Sequence, residues 1–534
     1  MSILLSILFL PLAGAILLMF VNKKQIQIIK NSALVISLAT FVLAMYLFSQ
    51  FNQADAGFQL IFNSEWIPQF DTGFRVGIDG MSFLIVLLTV FISPITILSS
   101  YVSINKREKE YYVMILFLEF AMIGVFIALD LFLFYIFWEL ILIPMYFIIG
   151  IWGGKNRLYA TVKFFIFTVV GSLFMLLAIV WLGLYVGGEV VHNSAGFTTN
   201  LILIKNALES QAIPFDIQIW LFLAFALSFG IKVPIFPLHT WLPDAHTEAP
   251  TPGSVILAGV LLKMGTYGLI RFNLELFPQA SFYFAPYMSL LAVIGIIYGA
   301  LVAMVQTDIK RLVAYSSVSH LGFVVLGIFS MTQVGIQGAI LQMVNHGLST
   351  GMLFLLVGMI YERRHTRDIA EFGGIARVMP AFTVFFGIAM FASVGLPGLN
   401  GFWGEFLTLL GAFKSPFLNS HVFTIFAASG VIFAAVYLLW MFQRVMFGEN
   451  ANPKNHHLKD INKREWAMLV PIVIFIVWIG VYPQTFMNLS ENSSKALVNK
   501  LYKEKFGTKP FELPAPINGT GAFMIKEDYK ELNK

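Results

Sequence analysis

The chain has 534 residues, of which 58% are hydrophobic and 12% are charged, and its mean hydropathy is +0.80. A soluble protein of this composition would expose large apolar patches, so the composition predicts a polytopic membrane protein instead. The sequence contains no cysteine, which excludes thiolate-ligated iron–sulfur clusters, disulfides and Cys-based zinc sites. The net charge of +5 must be interpreted by where the charges fall along the chain.

Apolar runs separated by short polar stretches extend along most of the chain. A helix needs about 20 mainly apolar residues to cross a hydrocarbon core of about 30 Å. By this measure the sequence predicts an all-α polytopic membrane protein with about 14 transmembrane helices.

Basic residues are concentrated in alternate loops. One set of loops contains most of the Lys and Arg residues, including Lys23, Arg107, Lys155, Lys310, Arg364 and Lys459. The other set holds only Arg75, Lys205, Arg271 and Lys414. The positive-inside rule makes the first set cytoplasmic and places both termini on the periplasmic or outer side of a bacterial inner (plasma) membrane.

Two lysines, Lys232 and Lys263, lie within apolar segments and have no acidic neighbour in sequence to neutralise them. A lysine at the bilayer centre costs about 2.5 to 3.5 kcal/mol on insertion scales, so an intramembrane charge is a candidate functional group. Among the acids, Glu119, Glu139 and Glu405 also lie within apolar segments. These side chains form the set of buried ionisable groups that the sequence predicts.

Two apolar segments contain signals that interrupt a helix. Lys232 is followed by Pro234 and Pro237, and the stretch GLPGLNGFWGEF at 395–406 precedes and includes Glu405. Proline removes a backbone donor and disrupts the preceding turn, so each segment should form two half-helices. Paired interruptions in the two halves of a transporter indicate inverted repeats and an ion path. The alternative is a pair of proline kinks that only shape the bundle.

The predicted fold contains two inverted five-helix repeats, each with one broken helix. The N-terminal helices 1–3 occupy 1–110, and the first repeat occupies 111–275 with its break near 232–240. The second repeat occupies 280–450 with its break near 395–404, and 451–534 holds the last transmembrane helix and a polar tail. Gly259, Gly265 and Gly268 flank Lys263; they indicate either room for water around the ammonium or close helix packing.

Three motifs make the interpretation specific. They are ALDLFLFYIFWELILIPMYFIIGIWGG at 128–154, IKVPIFPLHTWLPDAHTEAPTPGSVILAGVLLKMGTYGLIR at 231–271, and GLPGLNGFWGEF at 395–406. Over roughly residues 75–450, the chain resembles the antiporter-like membrane subunits of NADH-quinone oxidoreductase, respiratory complex I. Glu405 stands where other types in that family carry Lys, and this resembles the M type (mitochondrial chain 4). Residues 484–534 carry no resemblance.

The resemblance implies a subunit of a proton-translocating enzyme that couples quinone reduction in partner subunits to outward proton pumping. It implies that Glu139 and Lys232 form a modulating pair, that Lys263 is the central relay, and that Glu405 is the terminal site toward the outside. His239, His320 and His346 match positions that line the connecting path, and His246 lies just past the first break. The alternative for each histidine is a hydrogen bond that packs helices. For Glu119 we expect an interhelical structural contact.

The same resemblance sets the expected cofactors and partners. It implies no cofactor in this chain, with NADH, FMN, iron–sulfur clusters and quinone bound by partner subunits. The expected partners are other membrane-arm subunits, of the L and N types on either side, within a multi-subunit complex in the lipid bilayer, and no nucleic acid.

Other functions remain open at this point. A cation/proton antiporter subunit or a membrane-bound hydrogenase subunit of the same superfamily would have similar helices. A haem-bearing electron carrier needs histidine pairs that face each other across helices, and it leaves Lys232 and Lys263 unexplained. The sequence leaves open the quinone type, the pumped ion, the stoichiometry, the exit route and the role of residues 484–534.

Overall fold

The computed structural model describes residues 2–418 and 420–513, and these form a helical bundle with one small hairpin. The first ten helices are α1 (Ile3–Phe20), α2 (Ile26–Gln50), α3 (Gly80–Ser103), α4 (Glu108–Ile127), α5 (Leu131–Leu140), α6 (Leu142–Trp152), α7 (Arg157–Leu184), α8 (Leu201–Ser210), α9 (Phe215–Lys232) and α10 (Trp241–Glu248). The next ten are α11 (Thr251–Ile256), α12 (Leu262–Gly268), α13 (Pro278–Met304), α14 (Ile309–Phe329), α15 (Gln333–Arg364), α16 (Pro380–Val394), α17 (Asn400–Phe413), α18 (Val422–Met446), α19 (Lys463–Val481) and α20 (Gln484–Phe506). The strands are β1 (Gln59–Ile67) and β2 (Thr72–Ile78), which pair antiparallel.

Thirteen helices or continuous helical runs in the described part of the chain are long and apolar enough to cross a membrane. The broken pair α16 and α17 adds one further span, in agreement with the predicted number. The predicted all-α membrane fold is therefore confirmed, with the β1–β2 hairpin as an addition that the apolar pattern did not predict. The inverted symmetry of the two five-helix repeats stays a prediction.

Both predicted helix interruptions are present. Helix α9 ends at Lys232, and a regular helix resumes only at Trp241 after the two prolines. Helix α16 ends at Val394, where Gly395 adopts the left-handed conformation (φ +82°) that favours glycine at a helix C-terminus. Helix α17 then begins at Asn400, five residues before Glu405.

The centre of the bundle consists of the helical run Thr251–Leu274 with α14 and α15. Their most apolar windows are 94–100% buried, whereas those of α2 and α18 are only 28% buried. Helices such as α2 and α18 therefore face lipid or neighbouring subunits, and the central three provide positions shielded from both.

One face of the bundle, here called the hairpin face, carries the hairpin, α8 and α20. Helix α20 crosses the ends of helices from distant parts of the chain. Ser493 Oγ accepts from the backbone N–H of Gly80 at 3.1 Å, and Gln333 Nε2 donates to Ser494 Oγ at 3.0 Å. Part of the predicted polar tail is thus an ordered helix, while residues 514–534 lie outside the described residues.

Candidate functional site

Lys263 lies at the centre of the bundle on α12, between the π-helical segments Leu257–Leu261 and Leu269–Leu274. Widened π-helical turns often occur at functional sites. The side chain is fully buried, and its Nζ donates to the carbonyl of Ala258. Nζ also lies 2.7 Å from Nδ1 of His346 on α15. At this distance, a single proton lies in the hydrogen bond between the amine nitrogen and the imidazole nitrogen.

The glycines around Lys263 serve close packing. A Cβ atom at Gly265 would lie 2.6 Å from the carbonyl oxygen of Phe229, and one at Gly268 would lie 2.5 Å from the Phe229 ring. A Cβ at Gly259 would lie 2.9 Å from Ile92. Of the two interpretations of these glycines, the structure supports helix packing.

His346 leads to Glu405 through His320. The rings of His346 and His320 are edge-to-face with their centroids 6.1 Å apart. His320 Nδ1 lies 2.8 Å from Glu405 Oε1, and Gln342 Nε2 donates to the same oxygen at 3.1 Å. Glu405 is 3% exposed and His320 is 3% exposed. We call Lys263, His346, His320 and Glu405 the connected row.

The second helix break is tied directly to the helix that carries His346. Asn345 Nδ2 donates to the carbonyl of Asn400 at 2.7 Å, and Asn400 Nδ2 donates to the carbonyl of Asn345 at 3.2 Å. Both carbonyls belong to helical residues, so this reciprocal pair links the interior of α15 to the first residue of α17. It also fixes the position of Glu405 relative to His346.

Lys232 is buried at the C-terminal end of α9, where the carbonyl ends of the helix favour a positive charge. Its Nζ lies 5.1 Å from the centroid of the Trp138 ring and 5.7 Å from that of Phe164. Within the described residues, Nζ has no hydrogen-bond partner. Two aromatic faces therefore provide the ammonium with cation–π contacts in place of hydrogen bonds.

Glu139 on α5 is half-buried, with Tyr135 and Ser172 beside it. It is near enough to Lys232 for electrostatic attraction. However, within residues 2–418 and 420–513 no ion pair within 4.0 Å joins the two side chains. Glu139 and Lys232, the predicted pair, therefore lie near each other but do not form a direct ion pair.

His239 and His246 are buried, and in the part of the chain that the structure describes neither makes a hydrogen bond or a ring contact with the connected row, although His246 is near enough to Lys263 and His346 for electrostatic interaction. His239 packs between the rings of Phe236 and Tyr298, with centroids 5.6 and 5.0 Å away. His246 stacks on Phe354 at 4.6 Å. Among the described residues, both ring nitrogens of His246 lack a hydrogen-bond partner, and so does Nδ1 of His239. That either histidine lines a path stays a prediction.

Glu119 makes the interhelical contact expected of it. It is fully buried on α4, and its Oε1 accepts from Ser37 Oγ on α2 at 3.1 Å. The contact joins two N-terminal helices and lies outside the connected row.

Several polar residues at or near the site were missed from the sequence. Gln342 reaches Glu405, and Tyr437 Oη lies 3.5 Å from His320 Nε2. Both are neutral, so a search for charges in apolar runs passes over them. Arg271 was assigned to a loop, which is wrong: it lies within the π-helical segment Leu269–Leu274, is 1% exposed, and pairs with Asp79 and Glu275. The i,i+4 spacing of Arg271 and Glu275 was the available signal.

The chemistry of the site is that of acids and bases. Among the described residues, no three His, Asp or Glu side chains are grouped so as to hold a metal ion. Lys, His and Glu side chains at 2.7–2.8 Å can instead pass a proton between them, because each can both accept and release one.

Comparison with known proteins adds a consistent set of relatives. Residues 128–433 match the family described as NADH:quinone oxidoreductase/Mrp antiporter, transmembrane. The chain is 44% identical to NADH-quinone oxidoreductase subunit M of Rickettsia prowazekii over 495 residues, 92% of this chain and 98% of that protein. It is also 44% identical to subunit M of Rhodobacter capsulatus over 521 residues, 95% of this chain and 98% of that protein.

A solved structure agrees with these relatives. A chain of respiratory complex I from Thermus thermophilus with bound NADH matches with a TM-score of 0.82 and 32% identity. The match covers 94% of this chain and 99% of that chain. The likeness in fold therefore extends over nearly the whole of both chains.

Proposed function

The chain belongs to the NADH-quinone oxidoreductase subunit M family, and from that membership we propose that it translocates protons as a membrane-arm subunit of that enzyme. It couples quinone reduction in partner subunits to proton movement toward the outside. The observation that carries the proposal is the connected row, in which the 2.7 Å contact of Lys263 with His346 and the 2.8 Å contact of His320 with Glu405 lie within the buried centre of the bundle.

A proton crosses the connected row in three steps. Lys263 Nζ gives a proton to His346 Nδ1 along their short contact. His346 then releases the proton on its Nε2 to His320 through one bridging water, because among the described residues His346 Nε2 has no hydrogen-bond partner. His320 finally passes its Nδ1 proton to Glu405 Oε1, and the carboxyl group releases it toward the outside.

Glu139 and Lys232 act as the control element for this row. Two unit charges about 7 Å apart at an effective dielectric of about 20 attract by about 2.4 kcal/mol. Moving one charge across 100 mV costs about 2.3 kcal/mol, so a single pair barely matches a modest membrane potential. This favours a series of coupled sites, namely Glu139, Lys232, Lys263 and Glu405. Because they interact, the protonation of each site is a property of the whole series and not of that residue alone.

The half-buried position of Glu139 supports coupling to a neighbour, because a side chain at the lateral surface can respond to charges in the next subunit. We place L-type and N-type subunits on either side of this chain, and NADH, FMN, iron–sulfur clusters and quinone in partner subunits. The distribution of basic loops supports a bacterial inner membrane location with both termini outside. The two broken helices support the two inverted repeats at 111–275 and 280–450.

Replacement of the control residues tests this function. In membrane vesicles that contain the intact complex, Glu139→Ala and Lys232→Ala should each strongly reduce proton pumping and coupled quinone reduction. NADH oxidation by an artificial acceptor should stay nearly unchanged, because that reaction needs no membrane arm. Unimpaired pumping in either variant would refute the assignment.

Glu119→Gln provides the matched control. Glu119 is also a buried glutamate of an adjacent helix, but its contact is with Ser37 only. The variant should assemble and pump like the unmodified complex. A pumping defect equal to that of Glu139→Ala would show that loss of any buried carboxyl group in these helices is sufficient.

A further inference from the structure

A second group of buried charges lies beneath α20 on the hairpin face, outside the connected row. Arg271 Nη2 donates to Asp79 Oδ2 at 2.5 Å, and Arg271 Nη1 donates to Glu275 Oε1 at 3.3 Å. The three side chains are 1–4% exposed. We call Asp79, Arg271 and Glu275 the Arg271 cluster.

The Arg271 cluster is on the same helical run as Lys263. Arg271 follows Lys263 by eight residues, which corresponds to about 12 Å along a helix axis toward the hairpin face. Tyr267 lies between them: its hydroxyl accepts from Arg271 Nε at 3.2 Å and donates to the carbonyl of Phe126 at 3.3 Å. The Tyr267 hydroxyl proton is therefore engaged by the Phe126 carbonyl and not by Lys263.

A cavity of about 160 Å³ reaches the cluster from the hairpin face. Its charged lining residues are Asp79, Lys205, Glu209, Arg271, Glu275 and Lys500, and residues of α20 form one wall. Lys205 Nζ lies 3.5 Å from Glu275, and Lys500 Nζ lies 3.3 Å from Glu209. A polar cavity of this size accommodates several water molecules. Space for water on the hairpin face thus extends to Arg271, which lines the cavity.

We propose that Arg271 closes the Lys263 site to the hairpin face, so that Lys263 exchanges protons with His346 and not with the nearby cavity. This inference rests on the proposed proton-translocating function. Arg271 acts as a positioning residue: it takes no proton itself, and it determines where protons can go.

The chemistry of the guanidinium group explains the closure. It does not lose its proton in proteins, so it cannot relay one. A fixed positive charge at a constriction also repels protons that approach from water. Without Arg271, Asp79 would lose its ion-pair partner and Glu275 would keep only Lys205 at 3.5 Å, which leaves two carboxylates between the cavity and Tyr267. Two proton acceptors would then form a route where the structure has a barrier.

The test measures passive proton leak in liposomes that contain the intact complex. A pH gradient is imposed without NADH, and its decay is followed. Arg271→His should make the gradient decay several-fold faster, since an imidazole both accepts and releases protons, and Arg271→Gln should do so to a smaller degree. Arg271→Lys keeps the positive charge but, like Lys263, can release its proton, so its gradient should decay more slowly than that of Arg271→His and faster than that of the unmodified complex.

Arg75→Gln is the matched control for structural damage. Arg75 is also a buried arginine on the hairpin face, paired with Asp71 at 2.6 Å and Asp130 at 2.9 Å, but it does not lie on the Lys263 helical run. The Arg75→Gln variant should leave the pH gradient as stable as in the unmodified complex, provided that the complex assembles. If Arg271→Gln fails to assemble, the comparison of Arg271→His with the unmodified complex and with Arg75→Gln still decides.

Equal decay rates for Arg271→His and the unmodified complex, or a leak in Arg75→Gln equal to that in Arg271→His, would overturn the inference. The assay needs no turnover, so its failure is distinguishable from failure of the proposed function. Normal pumping in Glu139→Ala would refute the proposed pump function, whatever leak rate is measured. A proton-tight Arg271→His complex would refute only the inference that Arg271 closes the Lys263 site.

Discussion

The two halves of the site differ in how their charges are held. In the connected row, each imidazole lies 2.7–2.8 Å from a lysine or glutamate side chain. Around the first break, Lys232 is held against aromatic rings, 5.1 Å from the centroid of Trp138, and Glu139 lies near it without contact. Direct contacts suit proton transfer, whereas an attraction across a gap can be strengthened or weakened by small movements. This difference agrees with the proposal that the first half controls and the second conducts.

The largest expected difference between the halves comes from arginine substitution. Arginine keeps the positive charge but cannot release its proton. Lys263→Arg should therefore reduce proton pumping by about 10²-fold or more, as expected for loss of an acid–base group. Lys232→Arg should retain most of the pumping if the charge alone is what matters there.

Both variants are tested by measuring proton pumping and quinone reduction in membrane vesicles. Lys232→Ala, which removes the charge, is the reference for Lys232→Arg. If Lys232→Arg is as inactive as Lys263→Arg, then Lys232 also transfers protons and the division into control and conduction is wrong.

Histidine replacements sharpen the comparison with a smaller effect. His346→Phe removes the acceptor next to Lys263 and should reduce pumping on the order of tenfold to a hundredfold. His239→Phe keeps a ring between Phe236 and Tyr298 and should leave pumping close to that of the unmodified complex. Proton pumping per NADH oxidised is the measurement, and equal losses would show that the path includes both histidines.

The smallest expected effect is at Tyr437. Its hydroxyl lies 3.5 Å from His320 Nε2, on the other side of the ring from Glu405. Tyr437→Phe removes one weak neutral hydrogen bond, normally worth about 0.5 to 1.5 kcal/mol. Pumping should fall by about twofold to tenfold. An unchanged rate would show that His320 is oriented by Glu405 alone.

The helix breaks and the buried charges could be predicted because their signals are strong and local. Prolines after Lys232 and glycines before Glu405 interrupt helices wherever they occur, and a charge in an apolar run is costly in any arrangement. The resemblance of three motifs to a known family then supplied the roles expected of Glu139 and Lys263.

Contacts between distant helices could not be predicted in the same way. Gln342 and Tyr437 are neutral residues among many, and only the packing of α14, α15, α17 and α18 brings them to His320 and Glu405. Arg271 was misplaced because the central helix continues through two π-helical segments to Leu274, beyond the end that the apolar run suggested. From the sequence, Gly265 could indicate either room for water around Lys263 or close helix packing, and only the position of Phe229 shows that it is packing.

Helix α20 has a consequence for how the protein can move. It is bonded to Gly80 at the start of α3 and to Gln333 at the start of α15, and Gln279 of α13 donates to its Glu504 at 3.1 Å. Transporters that alternate access by rocking one bundle against another need those bundles to separate at each surface in turn. Helix α20 also reaches the first predicted repeat, because its Lys500 pairs with Glu209 of α8 at 3.3 Å, and a helix fastened to both repeats opposes such rocking. We therefore expect transport in this chain to proceed through side-chain rotations and rearranged water within a rigid frame.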